Sequence, residues 1–565
     1  MIDSSAIPIN ESFRSYEQAI CWARGGKVMI VSGAEVRDST DWPELVFGLV
    51  GPIGVDMNIV TRKLEEALVS VGYRPQVIRL TGLMKDIAVD GGEVADGGDP
   101  VSHYQSRIQY ANAVRLKCAN DAALAALAIN DIRRLRSVHW GPDHPSAQPQ
   151  RLPVEKSAYI LRQLKRAEEI LLLRKVYGRK FIQISVHLSE KERRKNLERT
   201  IALSNPNLSP SSCAEAAETL VETDMYERSD VHGQRIEEVF HMGDTFIHGR
   251  NEESISRTID RFVQAFFGKN SISPNKDEYG AYMAASASLR SLDLARQVGA
   301  AVFSSKGEII ALGCNEVPKF GGGTYWTEDD DPHRDYDDGV DVNRTEKNRI
   351  IFNFLRTLEE ASVLKDGATA EALYADSAVR KRIKAASISD ITEFGRMTHA
   401  EMTALCDAAR LGRPTGGATI FVTTFPCHNC AKHIIASGLK RVVFIEPYPK
   451  SKALEFHEDS AVLDEKNERR VLFEHFVGIS PRRYRDIFEK GSRRSADGKV
   501  AEWYKGEPMP LLEDKGPSYI YDEESAIYSS LIAVAEELGI VVKSEQSESD
   551  EIDKTTADTE NIAAQ

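Results

Sequence analysis

Two short motifs, His399-Ala400-Glu401 and Pro426-Cys427-His428-Asn429-Cys430, stand either side of a stretch that reads as a single strand. That arrangement leaves few folds open. His399 and Glu401 open a helical pattern that ends near Gly412, with Met402, Leu405, Cys406 and Ala409 on its apolar face. Residues 418–425 read as the strand, and Pro426 suits the first turn of a second helix. Cys427 and Cys430 are then i and i+3 on one face of that helix. The positive end of the helix dipole favours their thiolates.

Two thiolates and one imidazole suit a tetrahedral Zn²⁺, and three protein ligands leave a fourth position for water, as in catalytic sites. Zinc lowers the pKa of water to ~7. Glu401, two residues from a ligand, can reach that water without ligating the metal, and its expected role is proton shuttle. This histidine-x-glutamate and Pro-Cys-x-x-Cys set is the known signature of zinc nucleobase deaminases. A purely structural zinc site would need a fourth ligand, for which His428 and His433 are the nearby candidates.

The rest of the 565 residues calls for two or three domains. We expect a first domain over 1–270, a second over 275–500 with an insertion at 316–397, and an extension over 501–565 with an acidic, disordered tail. In the first domain, 45–50 reads as a strand, followed by a Gly-rich turn, a helix, and another strand at 75–80. Residues 105–136 and 154–176 read as long helices, and 180–188 as a strand. The second domain opens with a helix at 279–298 and a hairpin of strands at 299–303 and 308–313. Residues 451–535 read as mostly helical.

The net charge of −14 argues against a polynucleotide as the main substrate. Seven scattered cysteines do not suggest a disulfide framework. No apolar run reaches the ~20 residues of a bilayer span, and a polar N-terminus without a signal-peptide core makes a cytoplasmic protein the expectation.

Over about residues 279–450 the chain resembles the deoxycytidylate deaminases of the cytidine deaminase-like fold. The likeness rests on the zinc motifs, on Arg296-Gln-Val-Gly-Ala-Ala301 and on Gly313-Cys-Asn-Glu-Val-Pro318. In the last of these a glutamate stands where the family usually has glycine. The resemblance implies a three-layer α/β/α domain and a contact from Asn315 to the sugar or phosphate of a nucleotide. After the last core strand, Tyr448 is placed to stack on a base, and Lys450 with Ser451 to hold phosphate. Arg334 and Arg344 in the insertion are candidates for further phosphate contacts or for an allosteric nucleotide site.

Gly48-Leu-Val-Gly51-Pro-Ile-Gly54 is similar to the P-loop of nucleotide kinases, with Gly48, Gly51 and Gly54 as candidate nucleotide-binding residues. Arg193-Arg194-Lys195 and Asp244-Thr-Phe-Ile247 resemble a kinase lid and core. Val55-Asp56-Met57 replaces the Gly-Lys-Ser/Thr the motif needs, so the resemblance implies a parallel α/β kinase-like domain that has lost phosphoryl transfer. A plain Gly-rich turn is the alternative.

A degenerate kinase-like domain ahead of a deaminase resembles the bacterial anti-phage deoxycytidine nucleotide deaminases. That likeness implies hydrolysis of dCMP or dCTP to the deoxyuridine nucleotide and ammonia, depleting the pool during infection. It also implies a homo-oligomer, with dCTP, dTTP or a regulatory RNA as further partners. The zinc motifs themselves leave open a polynucleotide-editing deaminase and a nucleotide or RNA sensor with the deaminase as output.

Overall fold

The computed structural model describes residues 41–90, 99–227, 230–365, 367–390, 394–465 and 467–540. The N-terminal extension and the acidic tail expected from the sequence lie outside them.

Residues 41–270 and the C-terminal segment build on one sheet. Its strands are β1 (Leu45–Val50), β2 (Arg74–Arg79), β3 (Ser157–Arg162), β4 (Phe181–His187) and β5 (Thr245–His248), in the spatial order 5-4-1-3-2 and all parallel. The central strands are buried almost throughout, as parallel strands covered on both faces must be. Helices α1 (Met57–Ser70), α2 (Pro100–Lys117), α3 (Ala123–Trp140), α4 (Glu190–Ser204) and α5 (Glu252–Phe266) connect or cover them. Two core clusters, one per face, contain Val46 with Leu124 and Ile129, and Phe47 with Leu64 and Phe262.

The second sheet holds β6 (Gly299–Phe303), β7 (Ile309–Cys314), β8 (Thr419–Thr424), β9 (Arg441–Glu446), β10 (Ala461–Leu463) and β11 (Val471–His475), in the order 10-11-9-8-6-7. β6 is antiparallel to β7 and β8, and the remaining pairs are parallel. Helix α6 (Lys276–Ser288) packs Ala281 and Ala284 on one face, against Phe421 and Val443. After α7 (Val342–Glu360) of the insertion, helices α8 (Ala400–Arg410) and α9 (His428–Ala436) pack Ala404, Ala408 and Ile434 on the other face. This is the three-layer arrangement that the family resemblance implied.

The insertion closes on itself. Glu316 and Thr398 exchange backbone hydrogen bonds of 3.2 and 3.1 Å, so the chain returns to the place where it left the sheet. Within it, Ile351, Leu355 and Ala370 form a small core.

Four expectations are corrected. Residues 157–162 are a buried strand inside a stretch read as helix, because a short apolar run has no decisive period. The expected helix over 105–136 divides into α2 and α3. The helix expected to reach 298 ends at Ser288, and 289–298 is a loop. The region 451–535 contributes strands: β10, β11 and β12 (Gly478–Ile479), the last pairing antiparallel with β5 of the first sheet. The chain then packs helix α10 (Tyr519–Leu531) on the first sheet's core. There Arg136, fully buried, bridges Glu44 and Glu523 at 2.8 and 2.6 Å, while Tyr519 and Tyr177 donate to the same carboxylates. The segment after 478 therefore belongs structurally with the first sheet, and the sequence boundary at 500 does not mark a separate body.

Candidate active site

His399 is the N-cap of α8 and Cys427 the N-cap of α9, so these two ligands sit just before their helices, while Cys430 lies in the first turn of α9. The Cys427 sulfur accepts the Cys430 backbone N–H at 3.4 Å, a capping bond that fixes both cysteines in one turn. Pro426 precedes the cap, two positions before the first helical residue where the sequence suggested it. Gly313 on β7 sets the depth of α8: a Cβ there would lie 2.2 Å from the Ala400 carbonyl oxygen. Only a glycine lets the helix start approach the sheet this closely.

The result is a convergent cluster. Sγ of Cys427 and Sγ of Cys430 each lie 3.4 Å from Nδ1 of His399. The three atoms are the one His/Cys/Asp/Glu group among the described residues whose ligand atoms gather within 4.8 Å. A tetrahedral zinc with Zn–S of ~2.3 Å and Zn–N of ~2.0 Å has S···N edges of about 3.5 Å, so the donor set fits the metal. His433 is exposed and His428 packs edge-on against Phe456, at 5.8 Å between ring centroids. Neither joins the cluster, which leaves three ligands and argues against a closed structural site.

The electrostatics suit the same reading. The Cys430 thiol and the His399 ring hold Cys427 down at about 4, against the effect of burial. The hydrogen bond to Cys427 raises His399 to about 9. The proximity of Cys427, together with burial, pushes Cys430 well above the usual thiol range. Glu401, 4% exposed, lies on the first turn of α8 with Oε2 3.4 Å from the Cys430 sulfur. Burial raises its pKa above the usual carboxylate range.

The sequence-predicted substrate residues are placed less simply. Asn315 is buried, and its amide is committed to the 291–298 loop. Nδ2 donates to Asp293 (2.7 Å) and to the Arg296 carbonyl (2.9 Å), while Oδ1 accepts from the Val298 N–H (2.7 Å). Ser451 donates its hydroxyl to the Pro426 carbonyl (2.7 Å), which anchors the turn leading into Cys427. Its remaining lone pairs offer a phosphate no donor. Tyr448 is half-buried beneath Arg296, whose guanidinium lies 5.2 Å from the ring centroid, and Lys450 is exposed on the same loop. Arg334 is buried and paired with Asp337 at 2.6 Å.

Sequence reasoning missed Asp293 and gave Arg296 no role of its own. Asp293 is close enough to His399 to raise its pKa. Both residues lie in the segment read as the end of a helix. The signal that could have located them was Asp293 itself, whose carboxylate accepts from the Ala295 N–H and shapes a turn.

Comparison with known proteins agrees with this geometry. Residues 274–446 match the cytidine and deoxycytidylate deaminase zinc-binding region. ComE operon protein 2 of Bacillus subtilis (strain 168) is 42% identical over 90 residues, which is 14% of this chain and 48% of that protein. The deoxycytidylate deaminase of Enterobacteria phage T4 is 50% identical over 54 residues, 10% of this chain and 28% of the phage protein. The chain thus spans less than half the length of these relatives. Among solved structures, the dCMP deaminase of cyanophage S-TIM5 in complex with dCMP and dUMP is similar, at 19% identity and a TM-score of 0.20. That match covers 36% of this chain and 98% of the cyanophage chain.

In the first sheet, the candidate nucleotide-binding glycines are not brought together as a phosphate cradle. Gly48 is buried mid-strand, where a Cβ would meet Leu164 and Phe181 at 2.6–2.8 Å. Gly51 packs against Met57. The turn's amide at Ile53 donates to Asp224 at 2.6 Å, and Asp224 also holds Lys165 at 2.6 Å. Asp56 caps α1 through the N–H groups of Asn58 and Ile59. Carboxylates thus stand where a P-loop would receive phosphate, and the plain-turn alternative describes this loop. No helix among the described residues is long and apolar enough to cross a membrane.

Proposed function

We propose that the chain hydrolyses the exocyclic amine of a deoxycytidine nucleotide, dCMP first and dCTP second, giving the deoxyuridine nucleotide and ammonia. The observation that carries this reading is the buried Glu401, with Oε2 3.4 Å from the Cys430 sulfur, beside a three-ligand cluster that fits zinc. His399, Cys427 and Cys430 would hold the zinc, which would lower the pKa of a bound water toward neutrality. Glu401 would take one proton from that water and pass it to the ring nitrogen, then take the second from the new hydroxyl on the ring carbon and hand it to the departing amine, which leaves as ammonia.

The nucleotide lies, on this reading, between α8 and the loops 291–298 and 447–451. Asn315 acts by holding the first loop, and Ser451 by anchoring the Pro426 turn. Tyr448 faces the base, and Arg296 and Lys450 supply positive charge for the phosphate. The similarity to named deoxycytidylate deaminases supports a monophosphate substrate. Depletion of the deoxycytidine pool during phage infection is the setting we propose from the sequence resemblance; equal phage plating on cells carrying wild type and Glu401→Gln would reject it.

The activity test is a panel of deoxycytidine, dCMP, dCTP and single-stranded DNA, followed by loss of cytosine absorbance. We expect kcat/KM for dCMP to exceed that for deoxycytidine by about tenfold to a hundredfold, the worth of one charge-assisted phosphate contact. Lys450→Ala should erase part of that margin. Equal efficiency on the bare nucleoside would reject phosphate recognition, and turnover on DNA alone would place the chain among the editing deaminases.

A further inference from the structure

Glu316 follows Asn315 just after β7, in the place where the deoxycytidylate deaminases usually have glycine. A carboxylate loses its hydration when buried and then needs partners from the protein. Glu316 is only 1% exposed, yet among the described residues no lysine, arginine or histidine lies within ion-pair distance of it. Backbone donors take the place of a counter-ion. Oε2 accepts the Leu292 N–H at 3.1 Å, and Oε1 accepts the Val317 N–H at 2.9 Å. Hydrogen bonds to a charged acceptor are roughly twice as strong as neutral ones. The Glu316 backbone is fixed as well, since it pairs with Thr398, the residue before the ligand His399.

The segment that Glu316 grips is the loop that carries Arg296. Among the described residues the Leu292 N–H has no other acceptor. Asn315 fixes the far end of the same loop, through the Arg296 carbonyl and the Val298 N–H, and Ser291 donates its hydroxyl to the Asn315 carbonyl at 2.7 Å. Two consecutive residues after one strand thus hold both ends of the loop, Glu316 at Leu292 and Asn315 at 296–298. Between these grips the Asp293 carboxylate turns the chain. The Arg296 side chain leaves the turn to lie over Tyr448 and 3.3 Å from Glu446. That ion pair is partly exposed to solvent, and such pairs contribute little. The position of Arg296 therefore rests on the backbone grips, and glycine at 316 would remove one of them.

We propose that Glu316 is a specificity-determining positioning residue: by pinning Leu292 it holds Arg296 at the mouth of the site, ready for the phosphate of a deoxycytidine nucleotide. The inference rests on the deaminase reading and on the role given there to Arg296. Glu316 acts through the loop and not on the substrate, because its carboxylate faces backbone N–H groups inside the protein. A cation already in place gives up little freedom when phosphate binds, whereas a loose loop must be ordered at each binding event. The bare nucleoside makes no such demand.

The test compares wild type, Glu316→Ala and Glu316→Gln as full-length, zinc-loaded protein. Steady-state kinetics on dCMP and deoxycytidine read the selectivity, and hydrogen exchange reads the protection of the Leu292 amide. In Glu316→Ala we expect KM for dCMP to rise about tenfold, the worth of one hydrogen bond to a charged group, while kcat and the efficiency on deoxycytidine change by less than about twofold. The Leu292 amide should exchange about tenfold faster as the loop opens locally. Glutamine is isosteric and keeps one acceptor, so Glu316→Gln should fall between the two and serves as the comparison where the alanine variant does not fold. Equal losses on both substrates would make Glu316 a support of the fold at large and overturn the proposal. Unchanged exchange at Leu292 would do the same. A wild type that treats dCMP and deoxycytidine alike would reject the phosphate reading itself, whereas a selective wild type with an equally selective Glu316→Ala would reject only the role of Glu316.

Discussion

The zinc cluster and the glycine turn look alike in sequence: each is a compact motif at the junction of strand and helix, and each suggests an ion-binding site. In the structure they are opposites. At His399, Cys427 and Cys430, three soft-to-borderline donors converge, and the Cys427 thiolate is held by the Cys430 thiol and by the histidine that would share its metal. At Gly51 to Asp56, the polar groups already have partners from the chain itself: Asp224 on the Ile53 N–H, Gln163 and Lys165 on the Gly51 carbonyl, and Asp56 on the start of α1. Whether a motif can act depends on what its polar groups are bonded to in the folded chain, and the pattern of letters does not report that.

The largest expected effect lies on the zinc side. Cys427→Ser or His399→Ala should remove both metal and turnover, since two ligands hold Zn²⁺ poorly. Stoichiometric zinc by metal analysis in either variant would break the contrast with the glycine turn.

Glu401→Gln should lower kcat by about 10²–10⁴-fold, the range for a lost general acid–base group, while zinc stays bound. Loss of the metal along with activity would make Glu401 a structural support of the cluster and not a proton carrier.

On the other side, Asp224→Asn leaves Lys165 half-buried beside a neutral amide, and removing one member of such a pair costs about 3–5 kcal/mol. A fall in the denaturant midpoint with unchanged slope is the expected reading. Neither wild type nor the variant should release phosphate from ATP. Steady ATP hydrolysis would show that the turn is a working phosphate loop and would sink the comparison.

The smallest effect sits at the seam between the sheets, where His187 and His248 end β4 and β5 and His475 ends β11. The His187 and His475 rings lie 4.2 Å apart, and Asp464 accepts from His187 at 3.1 Å. Burial first, and then the neighbouring histidine, depresses the pKa of His475 well below 6.5, and that of His248 is lowered for the same two reasons. The folded state therefore refuses a proton that the unfolded chain accepts near pH 6.5. Stability is complete above that pH and falls as the pH drops below it, by up to about 1.4 kcal/mol per pH unit for each such group. Unfolding midpoints at pH 7.5 and 5.5 should differ, and His475→Asn should flatten the difference. An unchanged slope would mean that the seam does not sense protons.

Much of the second sheet was legible in the sequence. Strands at 299–303 and 418–425, the glycine-joined hairpin, and helices opened by His399 and by the Pro-Cys pair all appear within a residue or two. Their signals are local: alternation, caps and breakers act over one or two turns of chain. The loop at 289–298 was hidden because Leu289, Leu292 and Ala295 continue a helical spacing that the Asp293 turn interrupts.

The sequence by itself determined the zinc cluster. His399 with Glu401, and Cys427 with Cys430, are each fixed within three residues, and one strand between them sets their separation. Tertiary structure alone decided the rest of the chemistry. Asp224 reaches Ile53 across 171 positions of sequence. Glu316 meets the Leu292 N–H across 24 positions. Asn315 and Ser451 turn inward to hold loops because burial requires every amide and hydroxyl to find a partner. Residue type specifies what a side chain can bond, whereas long-range packing and desolvation choose which bond is made.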